Sequence, residues 1–197
     1  MAPALSVFAF NSLQAFVLRG FGNVLGQAIS SYDHSSYHTL FAKLDFFTVI
    51  VFASWALFYT PVFLLWNSFL DKRYPTVVKV PDTSAPESKE AKKEKEAATK
   101  DELQRGNVLI KTVLTESLLS TVMNGIFVAY FTYMRTGDPS YARQKVQSDL
   151  PDIQTSSMKL WPIVTYISLV YLPVERRMLV RSLVGIFWNV YLSIAAQ

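Results

Sequence analysis

Apolar residues fall into long runs separated by short polar stretches, at about residues 3–29, 46–70, 108–134 and 160–196. A helix needs about 20 predominantly apolar residues to cross a hydrocarbon core, so each run is long enough to span a membrane. The pattern predicts an all-α, polytopic membrane helix bundle of four transmembrane helices, with five as the alternative. The first run contains Arg19 and a Gly20, Gly22, Gly26 series, small residues that let another helix backbone approach closely. The second is almost uninterrupted, holds Pro61 where a kink is expected, and ends in Asp71-Lys72-Arg73, an interfacial anchor. After the third, Asp138-Pro139 reads as an N-cap followed by Pro at the first helical position, starting a short surface helix through about Asp149. The fourth run is too long for one level crossing and is interrupted by Pro173-Val174-Glu175-Arg176-Arg177. It can be two half-segments, one long kinked helix, or a crossing followed by an interfacial piece.

Between the second and third runs, residues 76–107 change to Pro, Ser, Ala, Lys and Glu with nearly balanced charge. Such a stretch cannot bury a core and is expected as a charged, solvent-exposed linker, disordered or a frayed helix, inside a single domain of residues 1–197. Hydrophobic residues make up 51% of the 197 and aromatic residues 14%, which leaves nothing for a soluble catalytic domain. Cysteine is absent, which excludes disulfides, thiolate metal sites and thiol nucleophiles. No charge lies between Met1 and Arg19, which argues against an Arg-rich cleaved presequence, so the first run is expected to be retained as a helix. The end, Ala195-Ala196-Gln197, is not a peroxisomal Ser-Lys-Leu type address. A net charge of +4 spread along the chain gives no footprint for nucleic acid. Lys72, Arg73, Arg105 and Lys111 on one side balance Arg135, Arg143, Lys145 and Lys159 on the other, so charge bias assigns neither face as inside.

Candidate chemistry concentrates in the third run, where Thr112, Glu116, Ser120 and Asn124 recur every four residues and fall on one helix face. A carboxylate at membrane depth costs a few kcal/mol and is turned toward protein or water. One reading is a polar stripe lining a narrow aqueous path, with Glu116 favouring cations or protons. The plainer one is a seam that hydrogen-bonds neighbouring helices, or pairs with Arg19, Arg177 or Arg181. Arg177 and Arg181, also four apart, share roughly one face with Trp188. They read as an anion contact in a pore vestibule, or as side chains that snorkel to headgroups or neutralise Glu175 and Glu116. His34 and His38 have the spacing of a two-ligand metal site but lack a convincing third ligand, so no metal is expected. Gly-rich phosphate loops, nucleophile elbows and zinc-protease motifs are missing, so no cofactor is expected and an enzyme is the weakest class.

One group of motifs resembles a known family. Trp161-Pro162, Pro173 followed by Arg177, and Trp188-Asn189-Val190-Tyr191-Leu192-Ser193 are similar to the carboxyl-terminal signature of the Mpv17/PMP22 family. In the second run Pro61, Trp66 and Leu70 fit the family's Gly-Pro-x-x-His-x-Trp-Tyr-x-x-Leu, while Thr60, Leu64 and Asn67 stand where Gly, His and Tyr are usual. Gly22-Asn23 and Gln27 resemble its Gly-Asp and Gln. Glu116-Ser117 stands at its Asp-Gln, with Val122 where Pro is usual. The resemblance fades toward the amino-terminal half, as in a divergent, fungal-type member with a lengthened linker. It implies a protein of the mitochondrial inner membrane, or alternatively the peroxisomal membrane. There it would form or modulate a low-selectivity channel for ions and small metabolites, alone or as a homo-oligomer. In that reading Glu116, Ser120 and Asn124 line the path, Pro61 and Pro173 open space between helices, and Trp66, Trp161 and Trp188 are packing or interfacial anchors. Besides the lipid bilayer, protein partners would meet the 76–107 linker. The alternative function is a scaffold or sorting protein that gathers partners through that linker.

Overall fold

The structure, a computed structural model, describes residues 5–30, 44–81 and 99–195. They form five long helices and one small hairpin: α1 (Leu5–Ser30), α2 (Phe46–Arg73), β1 (Val77–Pro81), β2 (Thr99–Leu103), α3 (Arg105–Thr136), α4 (Pro139–Tyr171) and α5 (Val174–Ala195). The loop with His34 and His38, and most of the charged linker, lie outside the described residues.

Every helix turns large apolar side chains outward. Examples are Phe10 and Val17 on α1, Ile50 and Leu65 on α2, Val113 and Val122 on α3, Ile163 and Ile167 on α4, and Leu183 and Phe187 on α5. A set of polar side chains points inward instead: Asn23, Thr60, Lys111, Glu116, Ser157 and Asn189 are each at most 2% exposed. This inside-out distribution suits a hydrocarbon surround, where an outer apolar belt is at no disadvantage and polar groups must find partners inside. Among the described residues, Phe46–Arg73 and Arg105–Thr136 are long and apolar enough to cross a membrane. At 1.5 Å per residue their 28 and 32 residues reach about 42 and 48 Å. α1 is diluted by Asn11, Gln14, Arg19, Asn23 and Gln27, α4 by its polar first half, and α5 by Arg176, Arg177 and Arg181.

α1 packs extensively on both α2 and α5, and α3 on α4. At the centre lie Phe52, Trp55 and Phe63 of α2, Leu119, Met123 and Phe127 of α3, and Met178 of α5. Phe52 meets Phe127 and Phe131 edge-on, with ring centroids 5.2 and 5.1 Å apart, the arrangement ring quadrupoles favour. The close approach of α1 to α5 depends on Gly22. A Cβ there would stand 3.1 Å from the Ile186 backbone and 3.3 Å from Asn189.

Hydrogen-bonded clusters tie the bundle at two ends. At one, Asp45 caps α2, accepting from the Thr48 backbone N–H at 3.0 Å and from the Thr48 hydroxyl at 2.7 Å. Arg135 of α3 donates to both, and Gln27 of α1 accepts from the Asp45 N–H at 2.7 Å. At the other end, the fully buried Lys111 of α3 pairs with Asp71 of α2 and donates to Thr76 at 2.8 Å.

Three features depart from the sequence pattern. The ends of the linker pair as antiparallel strands, Val77 opposite Leu103 through Pro81 opposite Thr99, where disorder or a frayed helix is expected. Lys111 and Asp71 hold α2 and α3 together, so the adjoining segments, with Val77, Val78 and Val80, start close enough to form a ladder. The expected short surface helix does not end near Asp149 but runs on as the 33-residue α4. Its polar middle is recruited by α3, since Gln154 and Ser157 bond across to that helix. The last apolar run is two helices. Leu172 adopts extended backbone before Pro173, as a pre-proline residue must, and Arg177 caps α4 by donating to the Leu172 and Leu169 carbonyls at 3.0 and 3.3 Å.

Two outcomes follow from this packing. Gly22→Leu forces α1 off α5 and is expected to abolish the folded fraction recovered in detergent, whereas Gly185→Ala, which meets nothing within 4 Å, is tolerated. The Thr48 hydroxyl and backbone N–H, with Arg135 adding to them against partial burial, hold the Asp45 carboxyl below its ordinary 3.8. A carboxyl lowered on folding stabilises the fold above its unfolded value, and that contribution is lost as pH falls through the lower folded value. Asp45→Ala should therefore cost about 1 kcal/mol at pH 7. In pH-dependent thermal unfolding the difference from native should shrink below about pH 4.

Candidate functional site

Arg181 of α5 occupies the centre of the bundle. Its guanidinium is sandwiched between the rings of Phe63 and Trp161, 4.3 and 4.4 Å from their centroids. Nη1 donates to Thr165 at 2.9 Å and reaches Glu116 Oε1 at 3.5 Å, while Nη2 donates to the Tyr59 hydroxyl at 3.3 Å. Thr165 in turn donates to Glu116 Oε1 at 2.6 Å. The Glu116 side chain is 1% exposed and that of Arg181 12%, so water screens the pair weakly. Glu116 Oε2 is buried without a hydrogen-bond partner.

The placement of Glu116 follows from a break in helical regularity. Thr115–Leu119 is a π turn inside α3. Such a turn inserts one residue and offsets the faces before and after it, so a four-residue repeat no longer stays in one line. Thr112, before the turn, bonds back to the Val108 carbonyl at 2.9 Å and is buried there. Within the turn, Thr115 accepts from the Trp66 indole N–H at 3.1 Å, and the Glu116 carbonyl accepts from Gln154 at 3.2 Å. Beyond it, Ser120 lies 3.4 Å from Ser157, and Asn124 donates to Gln154 at 3.0 Å. Glu116, Ser120 and Asn124 are thus all bonded to α4.

Two cavities meet at Arg181 and Met178. A central one of about 60 Å³ is lined on its polar side by Arg19, Tyr59, Thr60, Ser120, Asn124, Arg181, Ser182 and Asn189. The second, about 70 Å³, extends toward the Lys111–Asp71 end past Asn67, Ser168 and Arg177 to Asp71. Ser120 and Asn124 are therefore both interhelical bonds and cavity wall. Arg177 and Arg181 do not act alike: Arg177 caps a helix at the edge of one cavity, and Arg181 lines both.

The other residues singled out by their motifs hold the walls in place. Gly22 admits Asn189 against α1, and Gln27 bridges α1 to the start of α2. α2 runs unbroken through Pro61, where the missing N–H leaves one internal bond unmade. Pro162 follows Trp161 inside α4. Trp161 meets Trp188 edge-on at 6.2 Å, Trp188 stacks on Tyr191 at 5.1 Å, and the Tyr191 hydroxyl lies 2.7 Å from that of Ser156. The sequence motifs do not include Tyr59, Gln154, Ser157 and Thr165. Their one signal is a small or mixed-polarity side chain in an otherwise apolar stretch, which does not say which helix it faces.

The profile described as the Mpv17 / PMP22 family matches residues 132–193, which hold the Trp161, Pro173 and Trp188 motifs. The Arabidopsis thaliana peroxisomal membrane protein PMP22 is 26% identical over 88 residues, 44% of this chain and 46% of that one. The Caenorhabditis briggsae mitochondrial inner membrane protein Mpv17 is 27% identical over 94 residues, 48% of this chain and 52% of that one. Over its carboxyl-terminal third the chain is similar to the Mpv17/PMP22 family. A further relative, PXMP2/4 family protein 3 of Dictyostelium discoideum, is 24% identical over 154 residues, 78% of this chain and 70% of that one. The chain spans about half the length of the first two relatives, and of these three the Dictyostelium alignment covers the most of it. No solved structure matches it. The match covers all of α4 and most of α5, so Trp161, Thr165, Arg181 and Asn189 lie in the part where the similarity is most direct.

Removing one member of a buried ion pair strands the other. Glu116→Leu should destabilise the bundle by about 3–5 kcal/mol, and the double variant Glu116→Leu with Arg181→Met by clearly less. Thermal unfolding of the four proteins of that cycle in detergent measures both.

Proposed function

We propose that this is a non-enzymatic integral membrane protein of an organelle, with all five helices embedded. In this reading the bundle forms a gated, low-selectivity path for ions and small metabolites. The observation that carries it is the pair of cavities meeting at Arg181 and Met178, both bordered by polar side chains inside an apolar exterior. Ser168, Asn67 and Arg177 form the vestibule toward the Lys111–Asp71 end, Ser120, Asn124 and Asn189 the inner chamber, and the Arg181–Glu116–Thr165 contact closes the passage between them. A relative named for the mitochondrial inner membrane and one named for the peroxisomal membrane support an organelle setting. We take the mitochondrial inner membrane as the first assignment and the peroxisomal membrane as the alternative.

Glu116→Gln keeps the shape of the side chain and an acceptor for Thr165 but weakens the hold on Arg181. Purified protein in liposomes is expected to pass small ions slowly, and Glu116→Gln several-fold faster with the helical content retained. Equal flux through both would place any path elsewhere. No flux through either, where a known channel conducts, would favour the scaffold reading, in which deletion of residues 82–98 releases protein partners.

A further inference from the structure

Arg19 of α1 and Arg181 of α5 converge on one aromatic ring. The Arg19 guanidinium lies 5.0 Å from the Tyr59 ring centroid, and Arg181 Nη2 donates to the Tyr59 hydroxyl. Both line the central cavity, whose wall contains no Asp or Glu. Arg181 has Glu116 at 3.5 Å, but among the described residues no carboxylate lies within ion-pairing distance of Arg19. Arginine does not give up its proton in proteins, and a cation held in a low-dielectric interior without a counter-charge is strongly disfavoured. A like charge nearby makes this worse. Two residues of the same lining each hold a buried polar atom without a hydrogen-bond partner, Thr60 Oγ1 and Asn189 Nδ2, their residues 0% and 2% exposed. Both can donate. Surplus positive charge beside unpartnered donors suits this cavity to an anion.

We propose that the central cavity is a binding site for a small oxyanion, a phosphate or carboxylate group, held by Arg19 and Arg181, with the unpartnered donors of Thr60 and Asn189 buried beside it. At about 60 Å³ the cavity has room for roughly four to six water positions, comparable to the five heavy atoms of phosphate. The planar guanidinium fork is the side chain best matched to such groups. The bound group can be a free solute or the phosphate of a lipid headgroup entering between helices, since both present the same oxygens. This inference deepens the channel reading and rests on it for the route by which a solute arrives. It also reverses the charge preference that Glu116 alone suggests, because Glu116 is committed to Arg181 and Thr165.

The test is equilibrium binding, which needs no transport. The full chain in neutral detergent is titrated with inorganic phosphate against chloride at matched ionic strength, and in parallel with an anionic phospholipid in mixed micelles, with thermal unfolding as the readout. Phosphate is expected to raise the midpoint with the logarithm of its concentration, by about 3–6 °C at tenfold its dissociation constant. Arg19→Gln should remove the shift, and Arg19→Lys should restore part of it. Asn189→Asp, which supplies a built-in counter-charge, should raise the midpoint without phosphate and also remove the shift. A response to phospholipid alone, lost in Arg19→Gln, assigns the oxyanion to a headgroup. No shift with either ligand, or shifts that survive both Arg19→Gln and Asn189→Asp, overturn the proposal. Flux in liposomes without binding removes the site and leaves the channel, whereas binding without flux does the reverse.

Discussion

A guanidinium that cannot lose its proton, placed at the centre of a bundle surrounded by apolar side chains, dictates much of the interior around it. Arg181 is held on several sides at once. Two aromatic faces cover its plane, and its edge meets Thr165, Tyr59 and the Glu116 carboxylate. Those contacts draw on α2, α3 and α4, so one side chain of α5 fixes the positions of three other helices. The π turn in α3 belongs to the same arrangement. It lets the Glu116 carboxylate face Arg181 while the Glu116 carbonyl accepts from Gln154.

The two end clusters make this central contact possible. Asp45 with Thr48, Arg135 and Gln27 fastens α1, α2 and α3 at one end, and Lys111 with Asp71 and Thr76 fastens α2 and α3 at the other. Hydrocarbon outside the bundle gives apolar side chains little reason to prefer one another, so alignment falls to polar pairs and close packing. Gly22 supplies the close packing, bringing Asn189 to the cavity wall. Thr60, also among the residues lining it, buries a hydroxyl without a hydrogen-bond partner.

Local chemistry in the sequence was a good guide to helices and their caps and a poor one to their partners. Asp138-Pro139 starts α4 as its residue types require, with Asp138 accepting from the N–H groups of Ser140 and Tyr141, and Pro173 ends it. The persistence of α4 through Pro151 was not legible, because it depends on Gln154 and Ser157 finding α3. Nor was the hairpin of Val77–Pro81 with Thr99–Leu103, which follows from a contact between Asp71 and Lys111, forty positions apart. The four-residue spacing of Thr112, Glu116, Ser120 and Asn124 identified the polar side of α3. Spacing cannot reveal a π turn, so it gave one continuous stripe where the chain builds a buried anchor, an ion pair and part of a cavity wall. Glu116 could be matched with Arg19, Arg177 or Arg181 from the residues alone, and only packing selects Arg181.

The central claim is that the Arg181–Glu116 contact separates two aqueous compartments inside the bundle. Because the chain has no cysteine, single cysteines can be introduced at Ser168, in one cavity, and at Ser120, in the other, and probed with a membrane-impermeant thiol reagent added to one face of reconstituted vesicles. The account predicts that Ser168→Cys reacts from the Lys111–Asp71 face, and that Ser120→Cys reacts from that face only when Glu116→Gln is also present. Reaction of Ser120→Cys at the same rate with Glu116 intact, or no reaction at Ser168→Cys from either face, would contradict it.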